Sequence, residues 1–181
     1  MKPSFNLHHA LFIGFCATLL VAIKSMMRMK LGLTGHSMFL MSLFYLVCYG
    51  ATNKIGSITL CGLMAGMLAM ILGVGKGGVF ILLKFGLPAV AMDLGLILLA
   101  NLFTLRWRFI ILAVIGSLAW SSKSAVQNIL IGMDLQVALF QFGLSCLQGS
   151  LFAIAGASLV PLILNRLDAH DLIIRNGMAD K

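Results

Sequence analysis

The chain has 181 residues, of which 61% are apolar and only 10% charged, and its mean hydropathy is +1.06. A soluble domain of this length carries roughly a quarter charged residues, so this composition excludes an ordinary water-soluble fold and points to a single all-α, multi-pass membrane domain over residues 1–181. The net charge of +8 arises from 13 Lys and Arg against five Asp, but the cations fall mostly between apolar runs, where they anchor to lipid headgroups, which argues against a nucleic-acid partner.

Six apolar segments follow in chain order. The first spans about 7–23 and is closed by the basic stretch KSMMRMK at 24–30. Lys2 and the apolar run from Ala10 to Ile23 imitate a signal peptide, yet no small-x-small cleavage site precedes Lys24, so a retained first helix is expected. The second segment covers 36–51, the third 55–74, the fourth about 79–101, the fifth about 107–131 and the sixth about 135–164. The second is short for a span, which takes about 20 residues. The sixth is long enough to tilt or to project into water, and Pro161 near its end marks a kink or a stop.

Six spans place both termini on one side. Seven cations, from Lys2 to Lys181, then fall on that side and four (Lys24, Arg28, Lys30 and Lys76) on the other, so the excess of positive charge favours cytoplasmic termini. The expected location is the cell membrane, in a bacterium the inner membrane.

In lipid, helices associate by close backbone approach, so small residues spaced by four mark packing faces. The third segment carries Gly62, Gly66, Ala69 and Gly73, and the sixth carries Ser145, Gly149, Ala153 and Ala157. The first offers Ala10, Gly14 and Thr18. Such faces pack within the bundle or dock a separate membrane subunit.

Polar residues at membrane depth are costly and point to function. The fourth segment carries Lys84, Pro88 and Asp93. On an ideal helix the nine residues from Lys84 to Asp93 put the two charges on opposite faces, roughly 13 Å apart along the axis. Pro88 has no N–H to offer the carbonyl of Lys84, so a kink there would expose an acceptor beside the lysine. With cytoplasmic termini, Lys84 lies in the outer half of its helix, as do Lys123, Gln127, Asn128 and Gln141 on the fifth and sixth. Polar side chains at one level on three helices predict a cavity open to the outside. Asp93 joins this set as a candidate, or finds a structural partner on a neighbouring helix. Arg28 and Lys30 would meet an anionic ligand from the loop at 24–35, and Trp120 is the best candidate for stacking on a ring. The competing reading for Lys84 is a side chain that snorkels to the headgroups, for Lys123 a place at a helix end, and for Arg28 and Lys30 an interfacial amphipathic stretch.

Other motifs carry little. GVGKGG at 73–78 has Gly77 where a phosphate-binding loop needs Ser or Thr, and reads as a turn. The four cysteines form no CxxC pair, and the four histidines and five aspartates show no metal-ligand spacing, so no metal or cofactor is expected. Enzyme chemistry is not expected either, because Asp93 is the only carboxylate deep in a segment and no nucleophile is paired with a deep histidine.

The run from GHSMFLMSLFYLVCYG (35–50) through GSITLCGLMAGMLAMILGVGKGG (56–78) to LLKFGLPAVAMDLG (82–95) resembles the substrate-binding S components of energy-coupling-factor (ECF) transporters. The likeness covers residues 30–100 and rests on glycine placement and the proline–aspartate helix. It implies a subunit that binds a small nutrient such as a vitamin or its precursor, covered by the loop at 24–35 and lined by helices four to six. It also implies a transmembrane coupling subunit and ATPase subunits as partners. Two departures stand out: the first helix has Ala10 and Gly14 where a pair of alanines is usual, and the chain begins MKPS without the N-terminal histidine of metal-uptake relatives. The alternative is a structural or assembly subunit of a larger membrane complex with no ligand of its own.

Overall fold

A computed structural model of the chain describes residues 7–28, 36–74, 80–99, 105–130 and 132–169. Among them are six α-helices and no strand: α1 (Leu7–Arg28), α2 (His36–Thr52), α3 (Ser57–Ile71), α4 (Phe80–Leu98), α5 (Leu105–Leu130) and α6 (Leu135–Ala169). Each corresponds to one of the expected segments. Two run further than expected. α1 continues through the basic stretch to Arg28, since Lys, Met and Arg propagate a helix well. α6 passes Pro161 and ends at Ala169. α4 is likewise unbroken through a buried Pro88.

Among the described residues, three stretches are long and apolar enough to cross a membrane: Leu7–Met26, Phe80–Leu98 and Leu135–Ala169. α2 and α3 are apolar but shorter, at 17 and 15 residues. α5 has the length, at 26 residues, but is diluted by Arg106, Arg108 and Lys123. The exterior carries exposed Leu7, Phe15, Met67, Ile71, Leu94, Ile97, Phe140, Leu147 and Leu151. Water would not tolerate so continuous an apolar surface, whereas hydrocarbon does, and this marks the chain as membrane-associated.

The helices form a ring, α1–α3–α4–α5–α6–α2, with α2 also touching α3 and α5. Chain reversals make α1, α3 and α5 run one way and α2, α4 and α6 the other. The proximal end carries the start of α1 and the finish of α6, and the distal end carries the finish of α1 and the start of α2. Large side chains fill the middle, with Met38, Met41, Tyr45, Leu46, Phe85 and Met92 fully buried.

The expected small-residue faces are used inside the ring. Gly62 and Gly66 let α3 approach α4 so closely that a Cβ on Gly66 would stand 3.2 Å from the Leu82 Cα. Gly149, Ala153 and Ala157 are buried on the side of α6 that meets α2 and α5. At Gly156 an added Cβ would stand 2.6 Å from the Phe39 carbonyl oxygen of α2. The Ser42 hydroxyl donates across this contact to the Ala153 carbonyl at 3.1 Å. The third face, Ala10–Gly14–Thr18 of α1, stays uncovered and lines a groove with Met64, Met67, Leu68 and Ile71 of α3.

Candidate functional site

Antiparallel packing sets which polar residues can meet. On α4 and α5, Gly116 faces Met92, with an added Cβ 3.0 Å from its Cγ, and Gly95 faces Leu112 and Ile115. About two further turns toward the distal end, this register brings Lys84 opposite Lys123. Both side chains are half-buried. Lys84 and Lys123, expected at one depth, therefore stand at one level of the helix register.

A third lysine joins them. Lys24 lies on the stripe of α1 that buries Ile13, Ala17, Leu20 and Val21, so it continues the inward face. α1 packs on α2 and α3, yet the Lys24 side chain crosses the ring and sets its Nζ 4.1 Å from the centroid of the Phe85 ring on α4. Lys84 and Lys123 lie within electrostatic range of this ammonium. From sequence alone Lys24 falls in a connecting basic stretch. The signal that identifies it is its place seven residues after Ala17, two turns further along the buried stripe.

The Lys24 Nζ is shut off from solvent and has no hydrogen-bond partner among the described residues. The ring face of Phe85 returns about 0.5–2 kcal/mol. Burial of an ammonium without a hydrogen-bonded counter-charge costs several kcal/mol. The cation–π contact alone does not offset that cost, and neighbouring lysines add to it. Two buried hydroxyls in the distal half, Ser37 at the start of α2 and Ser121 on α5, also have no partner among the described residues. The level of Ser121 is tied to that of Ser37, because a Cβ on Gly149 would lie 3.9 Å from both Ser121 Oγ and the Met38 side chain.

The remaining expected residues fall into four groups. Asn128 and Gln141 pair with each other, Asn128 Nδ2 donating to Gln141 Oε1 at 2.8 Å across the α5–α6 hairpin. Gly132, at φ 88°, turns that hairpin. Trp120 is half-buried against the core, about one turn from Lys123. Asp93 belongs to the opposite half of α4, where its carboxylate accepts the backbone N–H of Thr59 at 2.7 Å, that of Gly56 at 3.3 Å, and the Thr59 hydroxyl. The side chains of Arg28 and Gln127, and all of Lys30, lie outside the described residues, as does most of GVGKGG. Of the loop at 24–35 expected to cover the site, residues 24–28 instead continue α1, and 29–35 lie outside the described residues.

Pro88 supports the site indirectly. The Tyr45 hydroxyl of α2 donates to the Phe85 carbonyl at 2.9 Å, on the residue next to Lys84. This bond holds α4 against α2 where the proline removes one rung of the helix. It also fixes the ring that receives Lys24.

Two grooves lie away from the lysines. One, of about 570 Å³, is the α1–α3 groove and is almost wholly apolar. The other, of about 580 Å³, runs along α6 at Ala157, Ser158, Pro161, Asn165 and Arg166, with Ile110 of α5. Among the described residues no group of His, Cys, Asp and Glu has the arrangement of a metal site. No family model, curated protein or solved structure matches the chain.

Proposed function

We propose that this chain is a six-span substrate-binding subunit of the cell membrane, S-component-like, serving an ECF-type ABC uptake transporter for a small nutrient such as a vitamin or vitamin precursor. The observation that carries this reading is the convergence of Lys24, Lys84 and Lys123 from three helices at the distal end of the ring. Lipid-facing lysines would diverge toward headgroups. A side chain that turns inward, across the ring and onto Phe85, suits a ligand-binding interior.

The uncovered small-residue face of α1 supports the second half of the reading. Ala10, Gly14 and Thr18 let a foreign helix approach the α1 backbone, and the α1–α3 groove has the apolar lining a transmembrane coupling subunit requires. ATPase subunits would then act through that subunit.

The same groove favours a second reading, an assembly subunit that binds a partner helix and no ligand. A thermal-shift screen of the detergent-purified protein against vitamins and their precursors separates the two. Saturating ligand at about a hundred times its Kd contributes about 2.7 kcal/mol of stability. A chain of this size would answer with a rise of about 5–10 °C. A flat response across the screen, with a partner protein still co-purifying, would leave only the assembly reading.

A further inference from the structure

The three lysines say more than that a ligand binds; they say what kind. Lys24 brings three N–H donors to a point where the described residues offer no acceptor, and no lone pair. Ser37 and Ser121 add two buried hydroxyls without partners in the same half of the ring. The Lys84–Lys123 register adds two ammonium groups on the side of the ring opposite α1. Lys24, Ser37 and Ser121, the groups without a partner in this half among the described residues, are a cation and two hydroxyls able to donate, which is the complement of an oxyanion. A neutral or cationic ligand would leave the Lys24 charge uncompensated.

We infer that the distal end of the ring binds a small organic oxyanion, a carboxylate or phosphate ester, through Lys24, Lys84 and Lys123, with Phe85 flooring the site. The inference rests on the substrate-binding reading above and names its substrate class. Lys24 is the central contact: it reaches the ring interior from α1, while Lys84 and Lys123 close the opposite side. A phosphate-bearing lipid headgroup offers the same chemistry as a soluble ligand, so the two sources are separated by experiment.

The test uses the full chain in a neutral detergent, with melting temperature read against inorganic phosphate, succinate and phenyl phosphate, and chloride at matched ionic strength as reference. A parallel arm uses nanodiscs of phosphatidylcholine with and without phosphatidylglycerol. The wild type is expected to gain about 5–10 °C at saturation with at least one oxyanion. A gain with soluble anions assigns a soluble ligand, and a gain only with phosphatidylglycerol assigns a headgroup; both support the oxyanion site. Lys24→Met is expected to keep or raise the basal melting temperature, because it removes a buried cation without a partner, and to lose the anion gain. Lys123→Met is expected to lose most of that gain, and Arg166→Gln, at the exposed proximal end, to keep it.

The inference is overturned if no oxyanion, soluble or lipid, stabilises the wild type beyond chloride, or if Lys24→Met and Lys123→Met respond as the wild type does. A vitamin that stabilises the wild type and Lys24→Met equally would overturn the oxyanion site while keeping the substrate-binding function. Absence of any stabilising compound would overturn both.

Discussion

The Asp93 carboxylate of α4 caps the amino end of α3 by accepting the Thr59 backbone N–H at 2.7 Å, with the Thr59 hydroxyl and the Gly56 N–H completing the set. The first turn of a helix has N–H groups with no partner inside the helix, and in a membrane no water replaces them. A carboxylate supplied by the neighbouring helix satisfies them and meets the positive end of the helix dipole. Gly56 has no side chain to do this itself, and its φ of 94° turns the chain into α3.

Asp93→Asn is therefore expected to destabilise the fold by about 1–2 kcal/mol, since one carbonyl replaces two charged acceptors, and Asp93→Leu by about 3 kcal/mol. Equilibrium unfolding in mixed detergent micelles measures both. Amide exchange at Gly56 and Thr59 should accelerate ahead of the rest of α3. Unchanged stability in both variants would show that the cap contributes nothing.

Tyr45→Phe removes one hydrogen bond between α2 and α4 without changing shape. The expected loss is about 0.5–1.5 kcal/mol, in the range of interhelical hydrogen bonds within membranes. The bond sits beside the rung that Pro88 removes, so Pro88→Ala should soften the effect by restoring a backbone bond to α4. A double-mutant cycle read by unfolding would return a non-zero coupling.

Gly156→Ala should cost about 1–3 kcal/mol, because the new Cβ would meet the Ser42 hydroxyl and the Phe39 backbone carbonyl, and the carbonyl cannot retreat without separating α2 from α6. Gly143, on the same helix, has open space at its Cβ position. Gly143→Ala should be neutral or stabilise by up to about 1 kcal/mol through helix propensity alone. Comparable losses at both positions would refute close packing as the reason for glycine at 156.

Asn128→Leu breaks the Asn128–Gln141 pair. Since the pair is solvent- or headgroup-facing and its members are joined to each other, the expected loss is below about 1 kcal/mol, or under about 4 °C in melting temperature. Any ligand-induced rise in melting temperature should survive the substitution. Loss of that rise with little change in basal stability would return Asn128 to the binding site.

The sequence by itself determined the number of helices, their order and their ends to within a few residues, because each is a run of apolar residues broken by glycine, proline or cations. It also located the close-packing faces on α3 and α6, since small residues spaced by four have few other uses in lipid. Position counted along each segment was enough to put Lys84 and Lys123 at one level.

Only the tertiary structure decided which way each polar side chain points. A helix apolar all round shows no outward face in its sequence, so Asp93 stayed open to a ligand or to a partner on a neighbouring helix until α3 was set beside it. Lys24, at the end of its segment, read as a headgroup anchor. Placing α1 beside α2 and α3, with α4 next beyond α3, turned it into an interior cation over Phe85. Spacing along a chain sets height in the membrane; the direction a side chain faces is set by which helices surround it.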